Sequence, residues 1–138
     1  MIRYLVDSNV LSELSRKKPN PKVVQWLASH DSELAISSLT LGEIIKGVHL
    51  MPPGKKRNEI EKWFARIDRW ATGRTIPLGD PVMRRWGEFY AKHQREGDTL
   101  AIIDSLIAST ALEHHLVLAT RNTGDFPKDL PILNPWET

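Results

Sequence analysis

Three apolar residues in "YLVDSNVLSEL", residues 4 to 14, run straight into Asp7, an acid at the mouth of what reads as a buried strand. Glu43 follows the strand "LAIS" and lies in the first turn or so of the next helix, Asp104 opens a late helix, and Asp125 follows the strand "LVLAT" by one short loop. In open α/β sheets, ligands bind in the crevice beyond the carboxyl ends of the strands, so all four acids fall on the same edge. Carboxylates gathered in a partly desolvated crevice repel one another. Their proton affinities rise and the fold loses stability unless a hard cation or a bound cationic side chain neutralises them. Oxygen ligands without Cys or His select Mg²⁺ or Mn²⁺ over zinc. A carboxylate-held Mg²⁺ keeps several waters, which suits phosphodiester chemistry: one water loses its proton readily and attacks phosphorus, while the metal stabilises the departing oxyanion. Two ions about 3.5 to 4 Å apart would share those tasks. Asn9, and Asn122 with Thr120, are placed to orient ligands or waters.

Taken singly, each acid has a structural explanation. Asp7 could start a turn, Thr40-x-x-Glu43 matches a capping box, Asp104 could be a helix N-cap, and Asp125 could be a loop acid. An alternative chemistry makes Asp7 a nucleophile that becomes aspartyl-phosphate, as in haloacid-dehalogenase-like phosphatases, but "DSN" lacks the second Asp of that pattern. The four acids taken together favour a cation.

The elements that must position them follow from pattern. Apolar β-formers at Ile2 to Val6, Leu34 to Ser37, Thr75 to Leu78, Leu116 to Thr120 and Ile132 to Leu133 read as short strands. Helical patterns lie between. Asn20-Pro21 caps one helix; Ile60, Trp63, Phe64, Ile67 and Trp70 share one face of another; Asp80-Pro81 starts a third carrying Val82, Trp86, Phe89, Tyr90 and His93. A segment from about Asp104 to His114 completes the set, and "MPPGKKR" at 51 to 57 is a loop between helices. Strands alternating with helices imply an α/β sandwich around a parallel sheet, because parallel neighbours need crossover connections. Trp26, Trp63, Trp70 and Trp86 read as core or helix-interface residues. The five His show no H-E-x-x-H spacing, so a histidine zinc site is not expected.

At 138 residues the chain fits a single domain, 1–138, with an ordinary core. No apolar run approaches the roughly 20 residues of a membrane helix, there is no Cys, and, with no basic region followed by a long apolar stretch at the start, a secretory signal is not expected. A soluble, cytoplasmic protein without membrane contact is expected. The 19 Lys and Arg against 17 Asp and Glu give a net charge of +2. With the four acids set aside the balance is 19 against 13, or +6, a basic rim around an acidic hole. Arg16-Lys17-Lys18, Lys55-Lys56-Arg57 and Arg84-Arg85 contribute to it, although short basic runs are also ordinary solvated helix ends.

"YLVDSNVLSEL", "SSLTLGEIIKGV", "IIDSLIASTALEHHLVLATRNTGDF" and "ILNPWE" together resemble the PIN-domain family, in particular the VapC/FitB-like ribonuclease toxins of toxin–antitoxin pairs, and "LMPPGKKRNEIEKWF" looks like the FitB-type branch. The resemblance implies a three-layer α/β/α fold, a homodimer, Mg²⁺- or Mn²⁺-dependent cleavage of RNA, and inhibition by a cognate antitoxin that also binds operator DNA, the toxin reaching DNA only through it. It assigns Asp7, Glu43, Asp104 and Asp125 to the acidic site, with Thr120 and Asn122 in support. Gly42 stands where Ala is usual before the Glu, and Ser105 where Ala is usual after Asp104; the last acid varies most in the family. A reading of another class makes the protein a catalytically silent module whose acids receive an antitoxin Arg or hold a structural ion.

Overall fold

A computed structural model describes all residues, 1–138. Five parallel strands form one sheet in the order β3-β2-β1-β4-β5. They are β1 (Tyr4–Val6), β2 (Leu34–Ser37), β3 (Thr75–Ile76), β4 (Val117–Ala119) and β5 (Ile132–Leu133). The central strand β1 aligns Tyr4 with Leu34 of β2 on one side and with Val117 of β4 on the other. The chain steps to one side of β1 to make β2 and β3, then to the other to make β4 and β5, so the direction of winding reverses at β1. That reversal opens a crevice at the carboxyl end of β1, where Asp7 stands.

Six helices cover the sheet: α1 (Ser8–Glu13), α2 (Pro21–Ser29), α3 (Ser38–Leu50), α4 (Lys55–Ala71), α5 (Asp80–Arg95) and α6 (Ile102–Glu113). The strand alternation sorts their partners. Tyr4, Val6, Leu34 and Ile36 point into a core shared with Val10 and Leu11 of α1, Val23 and Trp26 of α2, Ile44 of α3 and Trp63 and Ile67 of α4. Leu5, Ala35 and Leu118 point the other way, onto Phe89 of α5 and Ile107, Ala108 and Ala111 of α6. Period-two side-chain placement on strands with both faces covered is what a parallel sheet between helical layers requires. The three-layer α/β/α expectation holds.

The ends of elements differ in detail from the sequence reading. β1 begins at Tyr4, although Arg3 still donates its N–H to the Glu33 carbonyl, and β3 stops at Ile76. The segment after β1 was expected to be a turn and is the helix α1, six residues long, too short for periodicity to reveal. It forms because Asp7 caps it and Val10 and Leu11 sink into the core. Glu13, buried at its end, accepts from the Asn20 N–H at 2.8 Å and from Arg16 at 3.4 Å, fastening α1 to the start of α2. Asn20 caps α2 by accepting from the Lys22 N–H, with Pro21 in the first turn. Past α4, Gly73 takes φ 82°, a left-handed conformation that costs glycine little and turns the chain into β3.

Trp26 and Trp63 are buried and Trp70 and Trp86 half-buried, all on helix faces as expected. Leu118, with no exposed surface, lies between β1 and β5. Leu118→Ala is expected to lower unfolding free energy by about 2 to 5 kcal/mol. Leu50→Ala, at a side chain 75% exposed, should stay within roughly 0.5 kcal/mol. Urea midpoints of the two variants check the contrast, and equal midpoints would place the core elsewhere.

Candidate active site

Asp7 continues the β1–β4 ladder by donating its N–H to the Ala119 carbonyl at 2.9 Å, and the chain then turns into α1. Its carboxylate is tied on both oxygens. Oδ1 accepts from the Ser8 N–H at 2.8 Å; Oδ2 accepts from the Thr120 hydroxyl at 2.8 Å and from Asn9 Nδ2 at 3.4 Å. Asn9 Nδ2 also donates to the Thr120 hydroxyl at 3.0 Å, and its Oδ1 accepts from the Arg121 N–H at 3.2 Å. The sequence reading set Asn9 near Asp7 and Thr120 among the supporting residues, and both are hydrogen-bonded to Asp7. Asn122 contributes its backbone N–H, which donates to the Thr120 hydroxyl at 3.1 Å; no hydrogen bond of its amide side chain joins the network. The two central strands thus cross-link their carboxyl ends through side chains and hold the Asp7 carboxylate in one orientation.

The other acids have no such ties. Ser37, not Thr40, caps α3, its hydroxyl accepting from the Leu39 N–H at 3.1 Å. The capping-box explanation of Glu43 is therefore wrong: Glu43 is the sixth residue of α3 and makes neither hydrogen bond nor ion pair. Asp104 is likewise no cap, since α6 starts at Ile102 with Ala101 before it and no capping side chain. Asp104 sits in the first turn, where the helix N-terminus favours an anion. Asp125 ends a short 3₁₀ turn, Thr123–Asp125, and is exposed. It lines the same cavity as Asp104. Asp125 remains a loop acid, and Asp7 takes a structural role as the cap of α1 alongside any chemical one.

The carboxylates sense one another. Burial holds Asp7 above the usual carboxylate range, opposed by the Thr120 and Ser8 donors and reinforced by the charge of Asp125. Burial also raises Glu43, with Asp7 and then Asp104 adding repulsion and Lys46 opposing it. Asp104 is raised by burial, then by Asp7 and Asp125. Three acids with elevated proton affinity and only Lys46 as a counter-charge form an electrostatic sink for a cation.

The donor set fits a hard divalent ion: all oxygen, no sulfur or imidazole, all from the carboxyl edge of the sheet. Its spacing is open. The trio of potential ligands whose donor atoms lie within 4.8 Å of one another is His93, Glu96 and Asp98, not any three of the crevice acids. Wide spacing suits an ion that keeps part of its water shell, as Mg²⁺ does. The His93 trio was not anticipated, and helix termination accounts for it. Gly97 at φ 81° lets the Asp98 N–H reach the His93 carbonyl and its own N–H reach Gln94, a Schellman closure of α5. That closure brings the Asp98 carboxylate to His93 Nδ1 at 3.0 Å.

Against known proteins, residues 4–128 match the PIN domain. The chain is 38% identical over 135 residues to Toxin FitB of Neisseria gonorrhoeae, covering 96% of this chain and 97% of that one. It is 32% identical over 136 residues to VapC ribonuclease Y4jK of Sinorhizobium fredii, covering 96% and 97%. Among solved structures, FitAB bound to an IR36 DNA fragment superposes with a TM-score of 0.86 at 36% identity, covering 96% of this chain and 95% of that one.

A carboxyl whose proton affinity is higher folded than unfolded stabilises the fold below its ordinary value, and that contribution is lost as pH rises through the folded value. In chelator, stability should therefore fall as pH climbs above the ordinary 3.8 of Asp and 4.5 of Glu. Glu43→Gln should melt higher than the parent at pH 7 and converge with it below pH 4, since Gln carries no charge to repel Asp7 and Asp104. Thermal melts across pH check this; a parent that melts higher than the variant at pH 7 without metal would refute the shared charge.

Proposed function

Given that this chain belongs to the PIN-domain family, on the FitB and VapC side of it, we propose that it is the toxin of a type II toxin–antitoxin pair and an endoribonuclease that hydrolyses RNA phosphodiester bonds at Asp7, Glu43, Asp104 and Asp125. The observation that carries this reading is the mutual charge of Asp7, Glu43 and Asp104 in one crevice with a single lysine opposing it. These four carboxylates would hold Mg²⁺ or Mn²⁺, which when bound would supply an activated water and charge neutralisation at the leaving oxygen.

The chain's own residues do the positioning. Ser8, Thr120 and Asn9 hold the Asp7 carboxylate so that it meets a cation without first having to find a rotamer. Glu43 and Asp104, half-buried and free of hydrogen bonds, present oxygens from two different helices across the crevice. Asp125, exposed on its turn, is the ligand most able to move with substrate. With both Asp7 oxygens accepting hydrogen bonds and no second Asp in "DSN", an aspartyl-phosphate mechanism has less support than hydrolysis by water.

Partners follow from the same chemistry. An antitoxin arginine would meet the acids with paired N–H donors and neutralise them in place of metal. The similarity to FitAB bound to DNA supports operator contact made through that antitoxin. A second copy of the chain is supported by apolar surface beside the site: Leu39, Leu78 and Ile103 line one shallow cleft with Glu43, and Ile45 and Ile102 are exposed nearby on the same helices. No helix is long and apolar enough to cross a membrane. A toxin that cuts cellular RNA acts in the cytoplasm.

Purified protein should cleave total RNA with Mg²⁺ or Mn²⁺, stop on chelation, and lose cleavage in Asp7→Asn and Asp104→Asn. Thr120→Val should weaken metal binding or activity by about 10- to 100-fold. Metal at a hundredfold excess over its dissociation constant should add roughly 2.7 kcal/mol to stability. Stabilisation by metal with no cleavage of RNA would favour the catalytically silent module instead.

A further inference from the structure

Arg16, Lys17, Lys55, Lys56 and Arg66 converge on one cleft of about 910 Å³ between the turn after α1 and the first three turns of α4, with Glu59 its only acid. All five are exposed. Arg16 is paired with Glu13 at 3.4 Å; Lys17, Lys55, Lys56 and Arg66 have no ion pair. Five cations against one acid repel one another, an arrangement that gains free energy when a polyanion enters.

The cleft does not end there. A second cavity of about 520 Å³ shares Ser15, Lys56, Ile60 and Trp63 with it and runs on past Ser12, Ser8 and Lys46 to Glu43. One groove therefore joins the basic cleft to the acidic crevice. Its α1 wall carries Ser8 and Ser12, four residues apart and so on one side of the helix, with Ser15 in the turn that follows, and Ser8 directly follows Asp7. Trp63 forms a wall common to both cavities, and its indole N–H is buried without an acceptor.

We propose that this groove is the track for the sugar–phosphate backbone of single-stranded RNA, holding nucleotides on one side of the scissile phosphate while that phosphate lies at the acids. The proposal rests on the ribonuclease reading of those acids. A positively charged groove that follows the backbone is how single strands are held without base recognition, and hydroxyls along it suit phosphate and ribose oxygens. The cationic lining continues to the far end, where Lys46 stands beside Glu43, so a chain of phosphates meets positive charge along the whole groove.

The test is fluorescence anisotropy of a labelled single-stranded RNA of mixed sequence, titrated with the full-length protein in EDTA over a series of KCl concentrations. Each phosphate contact on a single strand contributes about 0.7 to the slope of log K against log salt. Lys17→Ala/Lys56→Ala/Arg66→Ala should flatten that slope by about 2 and weaken binding at low salt by at least tenfold. Its thermal melt should match the parent's, because all three side chains are exposed. If the triple variant does not fold, Lys17→Gln/Lys56→Gln should still flatten the slope by about 1.4. Arg84→Ala, on α5 in the opposite layer, should change neither. A parent that binds no RNA, or a groove variant with the parent's affinity and slope, overturns the proposal, as does a variant that loses only antitoxin affinity. RNA binding that persists in a parent unable to cut RNA with Mg²⁺ leaves the groove standing and removes the nuclease reading.

Discussion

Repulsion between carboxylates fixed at one edge of a parallel sheet governs this molecule. Strands that all run the same way deliver their carboxyl ends together, and the winding reversal at β1 opens a gap there. Asp7 enters that gap from β1, Glu43 from the helix after β2, and Asp104 and Asp125 from the elements on either side of β4. A fold selected for stability alone would have placed a cation or an apolar side chain among them. Lys46 is the lone counter-charge acting on Glu43, and its side chain is exposed. The deficit is the signature of a site completed by something from outside.

Much of this was legible in the residues. The strand at Leu34 to Ser37 and the one at Ile132 to Leu133 begin and end as their aliphatic runs indicate. Four acids after strand ends were read onto one edge of the sheet, since parallel topology admits only one such edge, and the structure has them there. Tertiary packing decided what pattern could not. α1 is too short to show a period, and Asp7 looked like a turn residue because a helix cap and a turn acid share the same local chemistry. The capping box at Thr40 and Glu43 failed because Ser37, three residues earlier, ends the strand and takes the cap. Thr40 is buried instead, its hydroxyl without a partner.

Side-chain partnerships across strands were the least visible feature. Thr120 is 113 residues from Asp7 in the chain and 2.8 Å away in space. Nothing local to either residue announces the bond. It follows from β1 and β4 being neighbours, which strand order alone determines. The same holds for the basic groove. Arg16-Lys17 and Lys55-Lys56 look like ordinary helix ends, and each would be, were it not that the turn after α1 and the start of α4 line one cleft and turn two unremarkable runs into one field.

Asp7 both caps α1 and stands in the crevice, and this double duty shapes how the protein could evolve away from toxicity. On the proposed nuclease reading, loss of the carboxylate at position 7 would silence the site and relieve charge, but would also loosen α1 by about 1 kcal/mol for a lost cap. Losses at Glu43 or Asp104 would silence it and relieve charge with no cap lost. Harmless descendants under selection to persist as folded, antitoxin-titrating decoys should therefore keep the first acid and discard the later ones.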